Sequence, residues 1–182
     1  KLEINEFQAI CISLLGIVVG WVIYDFICRS KIGENTVTLS AVVYIFIVLC
    51  AYFYSEIFSG RGAFTQLGVM IGTIMVANVA MVIIPGQKKV VNALIKGNKP
   101  DPIHGIRAKQ RSLHNNYLTL PVIFVMLAGH YPMVFATKFS WLILAIVIVI
   151  GALIRHFFNS RHAKKKTPWW TWVLSTILIV FI

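Results

Sequence analysis

The run Arg111-Ser112-Leu113-His114-Asn115-Asn116-Tyr117 places a guanidinium, an imidazole, two amides and a phenol at the head of the apolar stretch Leu118–Ala128. Such groups are costly inside a bilayer unless they pack against other helices or line a wet cavity. In a helix Arg107, Arg111 and His114 recur at i, i+4 and i+7 and share one face. Together they could form a polar, cationic pocket for an anionic or amide-rich ligand. Arginine suits that task because its planar fork pairs with anions, and an imidazole can exchange a proton near neutral pH. The same pattern also fits hydrogen bonding between helices, with arginines that snorkel to the interface.

Other groups are candidates on narrower grounds. His130, before Tyr131-Pro132, and His156, beside Arg155, are the candidate haem ligands, with His114 a further one; the alternative for His130 is an interfacial turn residue. Asn78, Gln66 and Thr73 are the polar members of a charge-free apolar stretch. Gln66 and Asn78 read as links between helices, with Asn78 also a candidate to face the pocket. Asp25 and Arg29 form an i, i+4 pair at the end of the first apolar stretch. Asn159 and His162 are expected to face water. Cys11, Cys28 and Cys50 lie in or beside apolar segments without a CxxC or CxxCH spacing, so they read as small buried hydrophobes. No HExxH motif or carboxylate–histidine cluster points to zinc, and no metal site is expected.

The elements that must position these groups follow from composition. The chain has 58% hydrophobic and 13% charged residues, with a mean hydropathy of +0.81. Soluble domains carry about a quarter charged residues, so this is expected to be an all-α, polytopic transmembrane helix bundle forming one domain over residues 1–182. Five full spans and a partial sixth can be read: Phe7–Tyr24, Val37–Ser55, Ala63–Ile84 ending at Pro85-Gly86, roughly Asn115–Gly129, Phe139–Phe158, and a sixth from Trp169. The apolar part of the fourth is too short to cross, which draws His114, Asn115 and Asn116 to membrane depth. Pro121 within it favours a kink. In the loop after the third span, Val90, Val91, Leu94 and Ile95 are spaced for a short amphipathic helix on the membrane surface.

The net charge of +11 does not point to nucleic acid, because the cations cluster at the ends of spans. Of the 17 Lys and Arg, all but Lys1, Arg61 and Lys138 fall in the loops after spans one, three and five. Those loops are therefore expected to be cytoplasmic, with residue 1 and the far end of span six outside. Trp169, Trp170 and Trp172 would anchor the inner interface. The absence of an initiator Met and the short last span read as a fragment of a longer chain.

Several stretches resemble the membrane region of bacterial membrane-bound urate oxidases (urate hydroxylases). They are Phe58-Ser-Gly-Arg-Gly-Ala-Phe64, Gly72-Thr-Ile-Met-Val-Ala-Asn78, Ile84-Pro-Gly-Gln87, Arg107-Ala-Lys-Gln-Arg-Ser112, His114-Asn-Asn-Tyr-Leu-Thr-Leu-Pro121, His130-Tyr-Pro132 and Gly151-Ala-Leu-Ile-Arg-His-Phe-Phe-Asn159. The resemblance implies a bacterial inner-membrane oxidoreductase of purine catabolism. It would convert urate towards 5-hydroxyisourate and pass electrons to a c-type cytochrome, whose haem would sit in a C-terminal domain outside these residues. Given urate, Arg111 could pair with the anion, with His114 as general base. Arg107, Asn115, Asn116, Tyr117 and Asn78 would bind the substrate. Two readings without catalysis stand beside it: a purine-anion binding or transport module, and a membrane anchor holding haem b through His130 or His156.

Overall fold

The computed structural model describes residues 5–164 and 166–182, which form eight α-helices and no strand. Helix α1 (Glu6–Arg29) starts at a reciprocal cap, in which Asn5 and Gln8 each accept the other's backbone N–H. A 3-10 turn (Lys31–Glu34) leads to Asn35, which accepts from Val37 and Thr38 N–H and starts α2 (Thr36–Ile57). Ser59 caps α3 (Gly60–Ala77), which continues through a π-helical segment (Asn78–Ile83) into α4 (Ile84–Ile95). Asp101 caps α5 (Pro102–Ala128), whose first residue is a proline, as a helix start tolerates. The short α6 (Pro132–Phe135), α7 (Ser140–His162) and α8 (Trp170–Phe181) complete the order.

Four stretches are long and apolar enough to cross a membrane: α1, α2, the 36 residues Gly60–Ile95, and α7. At 1.5 Å per residue α5 is about 40 Å long, but its first half is polar. The 12 residues of α8 fall short of the roughly 30 Å hydrocarbon thickness. The third stretch does not end at Pro85-Gly86 as the sequence led us to expect. Proline lacks an N–H and crowds the carbonyl four residues back. The π turn shifts the hydrogen-bond register just before it, with Ile84 N–H reaching Val79 O, and the helix runs on. The expected amphipathic helix in the following loop is the body of α4, joined to the third stretch without a break.

The core lies where α2, α3, α5 and α7 meet. Leu39, Ile47 and Tyr54 of α2 pack with Phe64, Leu67, Met70 and Ile71 of α3, and with Leu118 and Leu144 from the other two. Two glycines permit close approach of α5. A Cβ on Gly68 would lie 2.8 Å from Val125 Cγ1, and one on Gly151 would lie 2.8 Å from Pro121 Cδ.

Candidate functional site

The first half of α5 is amphipathic with a polar buried stripe. Arg111 and His114 lie three residues apart on the face turned into the bundle, and Leu118, Pro121 and Val125 continue that face. Arg111 is only 2% exposed. Its Nη2 meets Asp25 Oδ1 of α1 at 2.7 Å, its Nη1 donates to Asn78 Oδ1 at 3.3 Å, and its guanidinium carbon sits 4.9 Å from the centre of the Tyr24 ring. Asp25 also holds Arg29 at 2.6 Å. One carboxylate therefore lies between two arginines, and the buried guanidinium is compensated.

Asn78, fully buried at the start of the π segment, is the hub. Its Oδ1 accepts from Arg111, which leaves its Nδ2 to donate to Tyr24 Oη at 3.0 Å and to Asn115 Oδ1 at 2.9 Å. Asn115 Nδ2 in turn donates to Met75 O at 2.9 Å. Tyr24 Oη and His114 Nδ1 are 2.7 Å apart, and Cys28 Sγ is 3.9 Å from the same nitrogen. Two nitrogens in this cluster are buried and have no partner among the described residues: Arg111 Nε, a donor, and His114 Nε2. Unpaired buried donors cost free energy and call for a ligand or a function. The π turn at the hub fits the frequent use of such turns at functional sites.

Beside the cluster, between α1, the π segment, α4 and α5, lies a cavity of about 160 Å³. Arg29, Lys89, Arg107, Arg111, His104 and Gln110 supply its polar lining, and none of the described lining residues is acidic. Two of the four cations, Arg29 and Arg111, share Asp25, so the surroundings of the cavity keep a net positive charge that suits an anion. The volume is below the 300–1,000 Å³ typical for drug-sized ligands, which favours a small ligand over a nucleotide.

The proposed residues divide. Arg107, Arg111, His114, Asn115 and Asn78 come together at the cavity or in the cluster behind it. Asn116 and Tyr117 do not. Successive helical residues point in different directions, and these two face α7, where Asn116 Oδ1 accepts from Asn159 and Tyr117 Oη lies 3.1 Å from His156 Nδ1. Asn159, expected in water, is half-buried by that amide pair. His162 is exposed, as expected. His130 is exposed beyond the end of α5. About 16 Å of helix separates Tyr117, the partner of His156, from Ala128 at that end, so His130 and His156 cannot ligate one iron together. Among the described residues no group of three His, Cys, Asp or Glu is placed to hold a metal ion. Sequence reasoning missed Tyr24, and it missed Asp25 as partner of Arg111. Asp25 could have been sought as the nearest acid to a buried arginine; nothing local marked Tyr24.

The family described as urate oxidase N-terminal matches residues 1–182. The chain belongs to that family. Membership supports a urate-related function of the oxidoreductase type, and the four apolar helices are compatible with a membrane protein. No curated protein and no solved structure matches the chain.

Proposed function

We propose that residues 1–182 form one membrane domain that binds urate in the cationic cavity and oxidises it towards 5-hydroxyisourate. The observation that carries this reading is the cavity itself: four cations, no described acid in the lining, and a buried arginine in its wall. Urate is a planar monoanion near neutral pH with carbonyl and amide edges. It matches a site rich in donors. Arg111 and Arg107 pair with the anion, Gln110 meets an amide edge, and the cluster of Asn78, Asn115, Tyr24 and His114 fixes the wall behind it. Urate and water give 5-hydroxyisourate, two electrons and two protons. A c-type haem outside these residues would accept the two electrons one at a time.

In this reading α5 crosses together with α1, α2, Gly60–Ile95 and α7, giving five spans, and α8 starts a sixth. The excess of Lys and Arg in the loops after spans one, three and five supports a cytoplasmic side for the cavity in a bacterial inner membrane, and residue 1 and the end of α8 would then face the periplasm. Polar residues on α5 are tolerated because they face the bundle. The test is urate-dependent reduction of the c-type haem in the full-length protein. Arg111→Gln should lower kcat/KM by about 100-fold, the scale for losing a donor that meets developing or bound charge in a dry site. Wild-type turnover by a folded Arg111→Gln protein overturns the assignment. Residues 1–182 alone should bind urate without sustained turnover.

A further inference from the structure

The hydrogen bonds of the cluster run in one direction. Arg111 can only donate, so Asn78 Oδ1 must be its acceptor, and Asn78 Nδ2 must be the donor to Tyr24 Oη. Tyr24 Oη thus already accepts, and His114 Nδ1, 2.7 Å away, is the one acceptor within reach of its own proton among its described hydrogen bonds. If Nδ1 carried a proton instead, the phenol proton of a fully buried tyrosine would be left with the Cys28 sulfur, a weak acceptor, in place of the imidazole nitrogen. The chain therefore reads Asp25, Arg111, Asn78, Tyr24, His114, with each link set by the one before. In a neutral imidazole whose Nδ1 accepts, Nε2 carries the hydrogen. That nitrogen is the one left buried without a partner.

We propose that Tyr24 is a positioning residue that locks His114, in the wall behind the cavity, as the Nε2–H tautomer, so that this imidazole is held as a hydrogen-bond donor with no lone pair free to take a proton. This rests on the urate reading above for the identity of the ligand. It changes the role of His114: with a hydrogen on Nε2 and Nδ1 occupied by Tyr24, it does not serve as general base for urate.

The direct test needs no urate. The full-length protein labelled with ¹⁵N-histidine, and a His114→Gln sample to assign the signal, should show His114 with Nε2 protonated and Nδ1 bare in wild type. Tyr24→Phe should release that lock and yield the other tautomer or a mixture. A wild-type His114 protonated at Nδ1, or a tautomer unchanged in folded Tyr24→Phe, overturns the proposal. Kinetics give a second arm. The glutamine amide can replace an Nε2–H donor but not an imidazole base. His114→Gln should therefore stay within about tenfold of wild-type kcat/KM, while His114→Phe should fall by about 100-fold or more. Equal and severe loss in both folded variants overturns the donor role. A wild-type protein that shows the predicted tautomer but neither binds nor oxidises urate would sink the urate reading and leave the lock intact.

Discussion

Helix α5 has two polar faces, and they are built on different plans. The face towards α1 and the π segment carries Arg111, His114 and Asn115 in a continuous network that includes a buried ion pair and leaves two nitrogens without a partner among the described residues. The face towards α7 carries Asn116 and Tyr117 in two separate pairs, Asn116–Asn159 and Tyr117–His156, the second of them with an exposed histidine. Below those pairs the α7 face closes by contact, with Gly151 against Pro121. Polar groups that only join helices are paired one to one and near the rim. Polar groups organised for a ligand share partners, are sealed from water, and keep donors free. In the proposed function one face serves the ligand and the other the assembly of the bundle, although one unbroken sequence run supplies both.

The largest effect should come from breaking the ion pair. Asp25→Asn leaves Arg111, 2% exposed, without its anion. Removing one partner of a buried pair costs about 3–5 kcal/mol, so the variant should melt far below wild type in detergent. Arg111→Gln should cost less stability, because Asp25 keeps Arg29 at 2.6 Å. Similar melting losses for both variants would mean that the arginine's charge is compensated by something other than Asp25.

The sequence grouped residues of both faces into one candidate site, and the structure separates them. A helix from Arg107 to Tyr117, its polarity at membrane depth, and the shared face of Arg111 and His114 all follow from periodicity. The division between Asn115 and Asn116 does not, because it depends on where α3 and α7 lie around α5. Asp25 was legible only as the i, i+4 partner of Arg29. Its link to Arg111 spans 86 residues and is set by the packing of α1 against α3 and α5. Tyr24 looked like any aromatic near the end of a span. Pro85 failed as a stop signal because a π turn, which has no local sequence mark, adjusted the register ahead of it. Gln66 was read as a helix link, and it is one: Ser13 Oγ lies 2.6 Å from its Oε1, and its Nε2 donates to Ser13 O.

A second, smaller effect tests whether the α7 face relies on contact. Gly151→Leu places a side chain where a Cβ alone would meet Pro121 Cδ at 2.8 Å and Leu120 Cβ at 3.4 Å. Overpacking of this kind typically costs about 1–3 kcal/mol. The melting temperature should fall while the KM for urate stays near wild type, since no residue of the cavity touches this position. A large rise in KM would show that the two faces are not independent.

The smallest effect is the sharpest discriminator. In membrane bundles a single interhelical hydrogen bond contributes about 0.6 kcal/mol on average, because the separated helices also find partners. A double-mutant cycle on Asn116→Ala and Asn159→Ala should return a coupling of about that size, with urate turnover retained in both single variants. The same cycle on Asn78→Ala and Asn115→Ala should return a larger coupling, because Asn78 also serves Arg111 and Tyr24 and its loss leaves several buried groups unpaired at once. Equal couplings would mean that sharing partners adds nothing, and the division of α5 into a ligand face and an assembly face would then rest on the free donors alone.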